Sequence, residues 1–195
     1  WDIESGNCLM TLHEHGDAVE SVAFSPRGHQ VAAGDGHGKI ILLDLITKDH
    51  YTIIANESAG LFRGHTRLYS VAFSPSGEKL IACGTYLELL DISTRVASKI
   101  CAKMIDSWSV MFSPDGKQFV SSGGMGNQNV TLWSVDKSCI IKSFSGHTKR
   151  VASVTFLSKD IIVSGSDDGT LRLWDICSGD CLAIERLETP IRSVA

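Results

Sequence analysis

One pattern narrows the fold of this chain more than any other: a segment that recurs. At 146–156 the sequence runs "GHTKRVASVTF", and at 161–175 "IIVSGSDDGTLRLWD". The second part returns as "QVAAGDGHGKIILLD" (30–44), "LIACGTYLELLD" (80–91) and "FVSSGGMGNQNVTLWS" (119–134). Trp1-Asp2 reads as the tail of one more copy. A marker position, held by Trp1, Leu43, Leu90, Trp133 and Trp174, recurs at intervals of 42, 47, 43 and 41 residues. Phe24, Phe73, Phe112 and Phe156 mark the first part at intervals of 49, 39 and 44. A repeat of this length is one supersecondary unit. It cannot bury its apolar face alone and must stack against its neighbours.

Inside each unit the apolar residues alternate with period two and are interrupted by turn signals. "SPRG", "SPSG" and "SPDG" place Pro where φ is fixed and Gly where a left-handed backbone is needed. The pattern predicts short antiparallel strands, about four per unit, and no amphipathic helix. The sequence thereby resembles the WD-repeat β-propeller family over nearly its whole length. The resemblance implies an all-β β-propeller of four-stranded antiparallel blades around a channel. At about 42 residues per unit, 195 residues make a partial propeller of roughly four to five blades. The units run approximately 13–57, 58–102, 103–143 and 144–186. Residues 1–12 are expected to end one blade, with "CLMTL" as its last strand, and 187–195 to begin the next, with "PIRSVA" starting a first strand. Closing those ends into one blade would leave a second strand missing. The expectation is a contiguous part of a larger propeller, the family's usual number being seven blades.

Composition sets outer limits. The net charge is −4, with 43% hydrophobic and 21% charged residues, which suits a globular chain and argues against a broad nucleic-acid footprint. Apolar runs are short; "IILLDL" already contains Asp44, so no membrane span is expected. The chain opens on Trp1 with neither an initiator Met nor a leader pattern, as expected of a slice of a longer protein. Six cysteines lie at 8, 83, 101, 139, 177 and 181 with no C-x-x-C pair. Cys8, Cys139 and Cys181 follow Trp1, Trp133 and Trp174 by seven, six and seven residues, a shared strand position that favours packing over metal or redox work. All six are taken as reduced, half-buried thiols of an intracellular protein, cytoplasmic or nuclear. The sequons at Asn56 and Asn129 are then idle.

By resemblance, the unit at 146–175 carries the family's structural tetrad: His147, Ser164, Asp168 and Trp174. The indole N–H would donate to the hydroxyl, the hydroxyl would bond the imidazole, and the carboxylate would take the other ring nitrogen. A Ser-His-Asp catalytic triad uses the same residue types but needs an exposed nucleophile and an oxyanion hole. The repeat context and the Trp beyond Ser164 favour the framework. The first unit keeps His15 but has Ala33, His37 and Leu43 in the Ser, Asp and Trp places. The second keeps Gly64-His65 without the Asp. The third has Ser121 and Trp133, no matching His, and Asn127 near the Asp position. "AGDGHGK" (33–39) fails the phosphate-loop pattern and reads as a hairpin turn. His13, His15 and His37 lack partners at zinc-ligand spacing. No cofactor or metal is implied.

Side chains at the channel mouth ring the surface on which such propellers often hold proteins or peptides. Positions six and four residues before each Phe lead into the first strands. They are Ala18 and Glu20, Arg67 and Tyr69, Asp106 and Trp108, then Arg150 and Ala152, with Arg192 next in line. The turn between second and third strands adds Asp167, whose counterparts are Gly36 and Gly126. Trp108 stands where sister units hold Glu, Tyr and Ala, so core volume does not demand it. Two roles are open to it, a contact for a partner or a plug between blades. Candidate partner-binding residues are therefore Trp108, Tyr69, Arg67, Arg150, Asp167 and Arg192. Eight residues more than usual separate Leu43 from Gly64, and "ANESAG" predicts an extended loop there. The expected function is a non-catalytic protein–protein interaction scaffold. The same module could be the ligand-sensing or substrate-recruiting part of a larger signalling NTPase or ubiquitin ligase. A propeller hydrolase would need convergent carboxylates or a catalytic dyad, which the repeat positions do not supply.

Overall fold

A computed structural model describes residues 1–54, 67–100, 106–123 and 126–195. All regular structure among them is strand. The first sheet holds β1 (Val19–Phe24), β2 (Gln30–Asp35), β3 (Lys39–Asp44) and β4 (His50–Ile54). The second holds β5 (Leu68–Phe73), β6 (Lys79–Gly84), β7 (Leu87–Asp91) and β8 (Val96–Lys99). The third holds β9 (Val110–Phe112), β10 (Gln118–Ser122), β11 (Val130–Ser134) and β12 (Cys139–Phe144). The fourth holds β13 (Val151–Phe156), β14 (Ile161–Ser166), β15 (Thr170–Asp175) and β16 (Cys181–Arg186). Each sheet is a four-stranded antiparallel meander in chain order. They have the form of the four-stranded antiparallel blades that the repeat predicts.

Turn chemistry fixes the strand ends. In the three "SPxG" turns the Gly amide donates to the Ser carbonyl three residues back: Gly28 to Ser25, Gly77 to Ser74 and Gly116 to Ser113. All three glycines have positive φ, between 68° and 80°, a conformation that costs a side-chain-bearing residue energy. At the far end of three of the four third strands an Asp caps the next turn with Oδ1; β11 ends in Ser134 instead, whose Oγ accepts the Lys137 amide. Asp44 accepts from Ile46 and Thr47, Asp91 from Ser93 and Thr94, and Asp175 from Ser178.

The sheets bury their faces against one another in sequence. Leu42, Leu68, Val71 and Leu90 fill the first interface, Ile81, Phe112, Phe119 and Trp133 the second, and Val120, Phe144, Ile162 and Trp174 the third. The four first strands line a common groove of about 520 Å³, which places them innermost. Ser hydroxyls on these strands accept backbone amides from the following segment. Val71 donates to Ser21, Val154 to Ser109 and Val194 to Ser153, at 3.1–3.2 Å. Glycine at the end of β14 permits the last of these approaches. A Cβ on Gly165 would lie 2.5 Å from the Ile191 side chain.

Three segments differ from the strands expected of them. Trp1-Asp2, "CLMTL" and "PIRSVA" carry no ladder, since among the described residues no strand lies alongside to pair with them. Their local geometry is nonetheless that of the other units. Asp2 N–H donates to the Asn7 carbonyl at 2.8 Å and Asp2 Oδ1 caps Ser5, as Asp44 does with Asp49 and Ile46. Val194 takes the place against Ser153 that Val71 takes against Ser21. The extended loop expected around "ANESAG" and the His65 position lie outside the described residues. "AGDGHGK" forms the β2–β3 hairpin, with Gly34 paired to Ile40. The described cysteines are free, but only Cys181 among them is half-buried: Cys83 is buried, Cys177 is exposed on a turn, and Cys8 and Cys139 are exposed too. The last two each sit on the outer side of their unit, where no next strand covers them.

Equivalent repeat positions should differ sharply in stability. Phe112 is 4% exposed whereas Phe24 is 72% exposed. In urea denaturation Phe112→Ala should cost about 3–5 kcal/mol, and Phe24→Ala less than about 0.5 kcal/mol.

Candidate functional site

Two polar constellations stand out, one buried and one at the rim. In the buried one, the Trp174 indole N–H donates to Ser164 Oγ at 2.8 Å, and Ser164 Oγ lies 2.8 Å from His147 Nε2. His147 Nδ1 is 3.0 Å from Asp168 Oδ2. Burial depresses the imidazole below its ordinary value, outweighing the neighbouring carboxylate. The neutral ring then donates from Nδ1 to Asp168 and accepts the Ser164 proton at Nε2. Burial opposes ionisation of Asp168. Hydrogen bonds from Thr170, the Thr148 amide and His147 together outweigh it and hold its carboxyl far below the usual range. Ser164 is fully buried, so its hydroxyl cannot reach an external substrate as a nucleophile would.

The other units keep fragments of this relay. Trp133 Nε1 donates to Ser121 Oγ at 2.9 Å and stops there, with the indole stacked on Phe119. Asn127 is exposed and accepts the Asn129 amide within its own turn. In the first unit one expectation is corrected. The acid paired with His15 is Asp35, with Nδ1 to Oδ2 at 3.0 Å, while His37 is exposed on the turn. Asp35 Oδ1 also accepts the His37 and Lys39 amides, each at 3.0 Å. The carboxylate has moved two residues along the chain, from the turn to the end of β2. A gap-free register with Asp168 cannot reveal this; the Asp-x-x-x-Lys turn that the carboxylate caps would have been the signal. With Ala33 in the Ser place, His15 Nε2 is buried without a partner among the described residues.

The rim constellation joins three sheets. Tyr69, near the start of β5, stacks on Trp108, leading into β9, with centroids 4.1 Å apart and planes within 13°. The Arg150 guanidinium, before β13, lies 4.2 Å over the Trp108 ring centroid. Its Nε donates to Asp167 Oδ2, in the β14–β15 turn, at 2.8 Å. Ser122 Oγ accepts the amides of Trp108 and Ser109 at 3.1 and 2.9 Å, fixing the backbone beneath the indole. Ser166 Oγ does the same for the opposite side by donating to the Arg150 carbonyl. The structure therefore brings four of the six rim candidates into one ladder. Arg67 and Arg192 are exposed and stand outside it. Trp108 is half-buried, part platform and part surface. The contribution of Ser122 carried no sequence signal, because Ser is common at strand ends.

Among the described residues no group of three or more His, Cys, Asp or Glu is arranged to hold a metal ion. No described helix is long and apolar enough to cross a membrane. Comparison with known proteins gives a consistent likeness. Residues 6–44, 56–86 and 138–175 match the family model described as WD domain, G-beta repeat. WD repeat-containing protein 82 of Drosophila melanogaster is 27% identical over 76% of this chain and 47% of its own length. A guanine nucleotide-binding protein subunit beta of Zea mays is 30% identical over 77% of this chain and 39% of its own. A ribosome biogenesis protein BOP1 homolog of Brugia malayi is 50% identical over 26% of the chain. The chain spans less than half the length of these relatives.

The relay makes two predictions. Ser164→Ala strands both the Trp174 and His147 nitrogens and should lower stability by about 1–3 kcal/mol. Ala33→Ser should give His15 Nε2 a partner and raise it by about 0.5–1.5 kcal/mol; thermal melts of the two variants test both. Acid should also weaken the fold in two stages. The depressed His147 is neutral when folded, so its contribution is full above its ordinary value of 6.5 and is lost as pH falls below it. The depressed Asp168 contributes above its ordinary 3.8, and that contribution disappears as pH falls further. Melting temperature measured from pH 8 to pH 3 should fall in that order, with the first stage absent in His147→Gln.

Proposed function

Since the chain belongs to the WD40 repeat family, we propose that this propeller region is a non-catalytic scaffold that binds partner proteins or peptides at its channel mouth. The carrying observation is the Tyr69–Trp108–Arg150–Asp167 ladder. Its four members come from three blades, and the repeat framework requires none of them there. Trp, Tyr and Arg are also the residue types that concentrate binding energy in interfaces. Stacking fixes their rotamers beforehand, which lowers the ordering cost on association. Relatives named as WD-repeat and G-beta proteins support protein partners in general; the face and its residues rest on the ladder. The further blades expected of a larger propeller would stand against Val22 and Phe24 at one end, where apolar side chains are exposed, and beyond Val194 at the other. An intracellular compartment suits the free cysteines.

A second reading gives the same rim a recruiting role within a larger signalling NTPase or ubiquitin-ligase protein. It predicts the same surface and differs only in what is attached.

The double variant Tyr69→Ala/Trp108→Ala decides the matter. It should lose partner capture in a pulldown from cell extract by about tenfold or more, with its melting temperature little changed. Retained capture by a folded variant would remove this surface. Loss of folding would assign the pair to blade packing.

A further inference from the structure

The ladder is asymmetric in what it turns toward solvent. Asp167 Oδ1 and Trp108 Nε1 are both buried and have no hydrogen-bond partner among the described residues. A ligand cation approaching from outside cannot reach that carboxylate oxygen. Arg150 is different. Its side chain is 28% exposed, only its Nε is engaged by Asp167, and its two terminal nitrogens make no hydrogen bond among the described residues. The indole on one side and the carboxylate on the other hold the guanidinium in place, with its outer edge free. A fixed guanidinium edge is the donor fork that matches a carboxylate.

Its surroundings extend the same preference. Arg67 on the second blade, Lys149 beside Arg150, and Arg192 beyond the fourth blade are exposed, and none has an ion pair among the described residues. The first blade inverts the pattern. Its corresponding rim residues are Ala18 and Glu20, and Asp17 fills the space above Gly36, where a Cβ would lie 2.5 Å from the carboxylate. A chain of net charge −4 thus carries a predominantly cationic arc from Arg67 to Arg192, interrupted by Asp106 and Glu188 and bounded by an acidic blade. The geometry points to an acidic peptide segment as the occupant of this rim. One of its carboxylates would sit on the Arg150 edge, flanking acids would face Arg67 and Arg192, and Glu20 would bar it from the first blade. A nucleic-acid strand offers anions as well, but the acidic first blade and overall charge oppose a continuous polyanion. This rests on the rim being the binding face.

Fluorescein-labelled octaglutamate and octaglutamine, with a deoxythymidine octamer, would be titrated against the full chain by anisotropy. Octaglutamate should bind about tenfold more tightly than octaglutamine, and should weaken between about 50 and 300 mM salt. Arg150→Gln should weaken it about fivefold or more. The exposed pair Arg67→Gln/Arg192→Gln, which leaves the ladder intact, should weaken it about threefold. Arg27→Gln, on the β1–β2 turn at the opposite end of the strands, should change nothing. Equal binding of the two peptides, indifference to Arg150 and the exposed pair, or tighter binding of the oligonucleotide would overturn the inference. If octaglutamate fails while Tyr69→Ala/Trp108→Ala still abolishes partner capture, the acidic preference falls and the rim reading stands. If the double variant also has no effect, both fall.

Discussion

Burial of one sheet face against the next is the constraint on which everything else here depends. A four-stranded meander with apolar residues on both faces cannot shed water from either by itself. The three inter-sheet clusters meet that need, and aromatic or leucine side chains from the third strands anchor each of them. Serine hydroxyls on the innermost strands then add direction to an otherwise non-directional attraction. Ser21 ties the second sheet to the first, Ser109 the fourth to the third and Ser153 the last segment to the fourth, while the Ser107 amide on the Gly84 carbonyl ties the third to the second, so neighbouring sheets meet in one register rather than many. The rim ladder is possible only because that register sets Tyr69, Trp108 and Arg150 within stacking distance.

Within this frame the units satisfy their interiors differently. The fourth uses a complete polar relay in which every nitrogen and hydroxyl of Trp174, Ser164 and His147 has a partner. The third keeps the Trp133–Ser121 bond alone, and the second replaces the indole with Leu90, which is buried without polar atoms to satisfy. Both solutions are self-consistent: an all-apolar site and a fully bonded network each avoid a stranded polar group. The first unit falls between them. It retains His15 and finds a carboxylate in Asp35, but Ala33 leaves one ring nitrogen unsatisfied. A half-retained network is the costliest of the three arrangements.

The fold was legible in the chain because it is written several times. The spacing of Phe24, Phe73, Phe112 and Phe156, and the recurring "SPxG" turns, specify strands and hairpins by period and turn chemistry. The members of the relay at 147, 164, 168 and 174 could be named from one near-complete motif. What escaped was geometry that does not repeat. Asp35 substitutes for an acid two positions away, because a cap depends on which amides a carboxylate can reach and not on its place in an alignment. The ladder is assembled across blades, so spacing along the chain identified its members as rim residues but not as neighbours. Nothing in the sequence distinguishes Arg150, held between an indole and a carboxylate, from Arg67, which stands free.

The turn at Asp2–Asn7 closes with the same side-chain cap as its counterparts although neither of its arms lies in a ladder. Such a turn needs only six consecutive residues. In the first, second and fourth blades the same device brings third and fourth strands together before any distant contact is required. Chain-closure entropy for that hairpin is therefore small, and its pairing is chosen by the turn, not by collision of long segments. Folding can then proceed blade by blade as local events, with the slow step confined to docking each finished sheet on the one before.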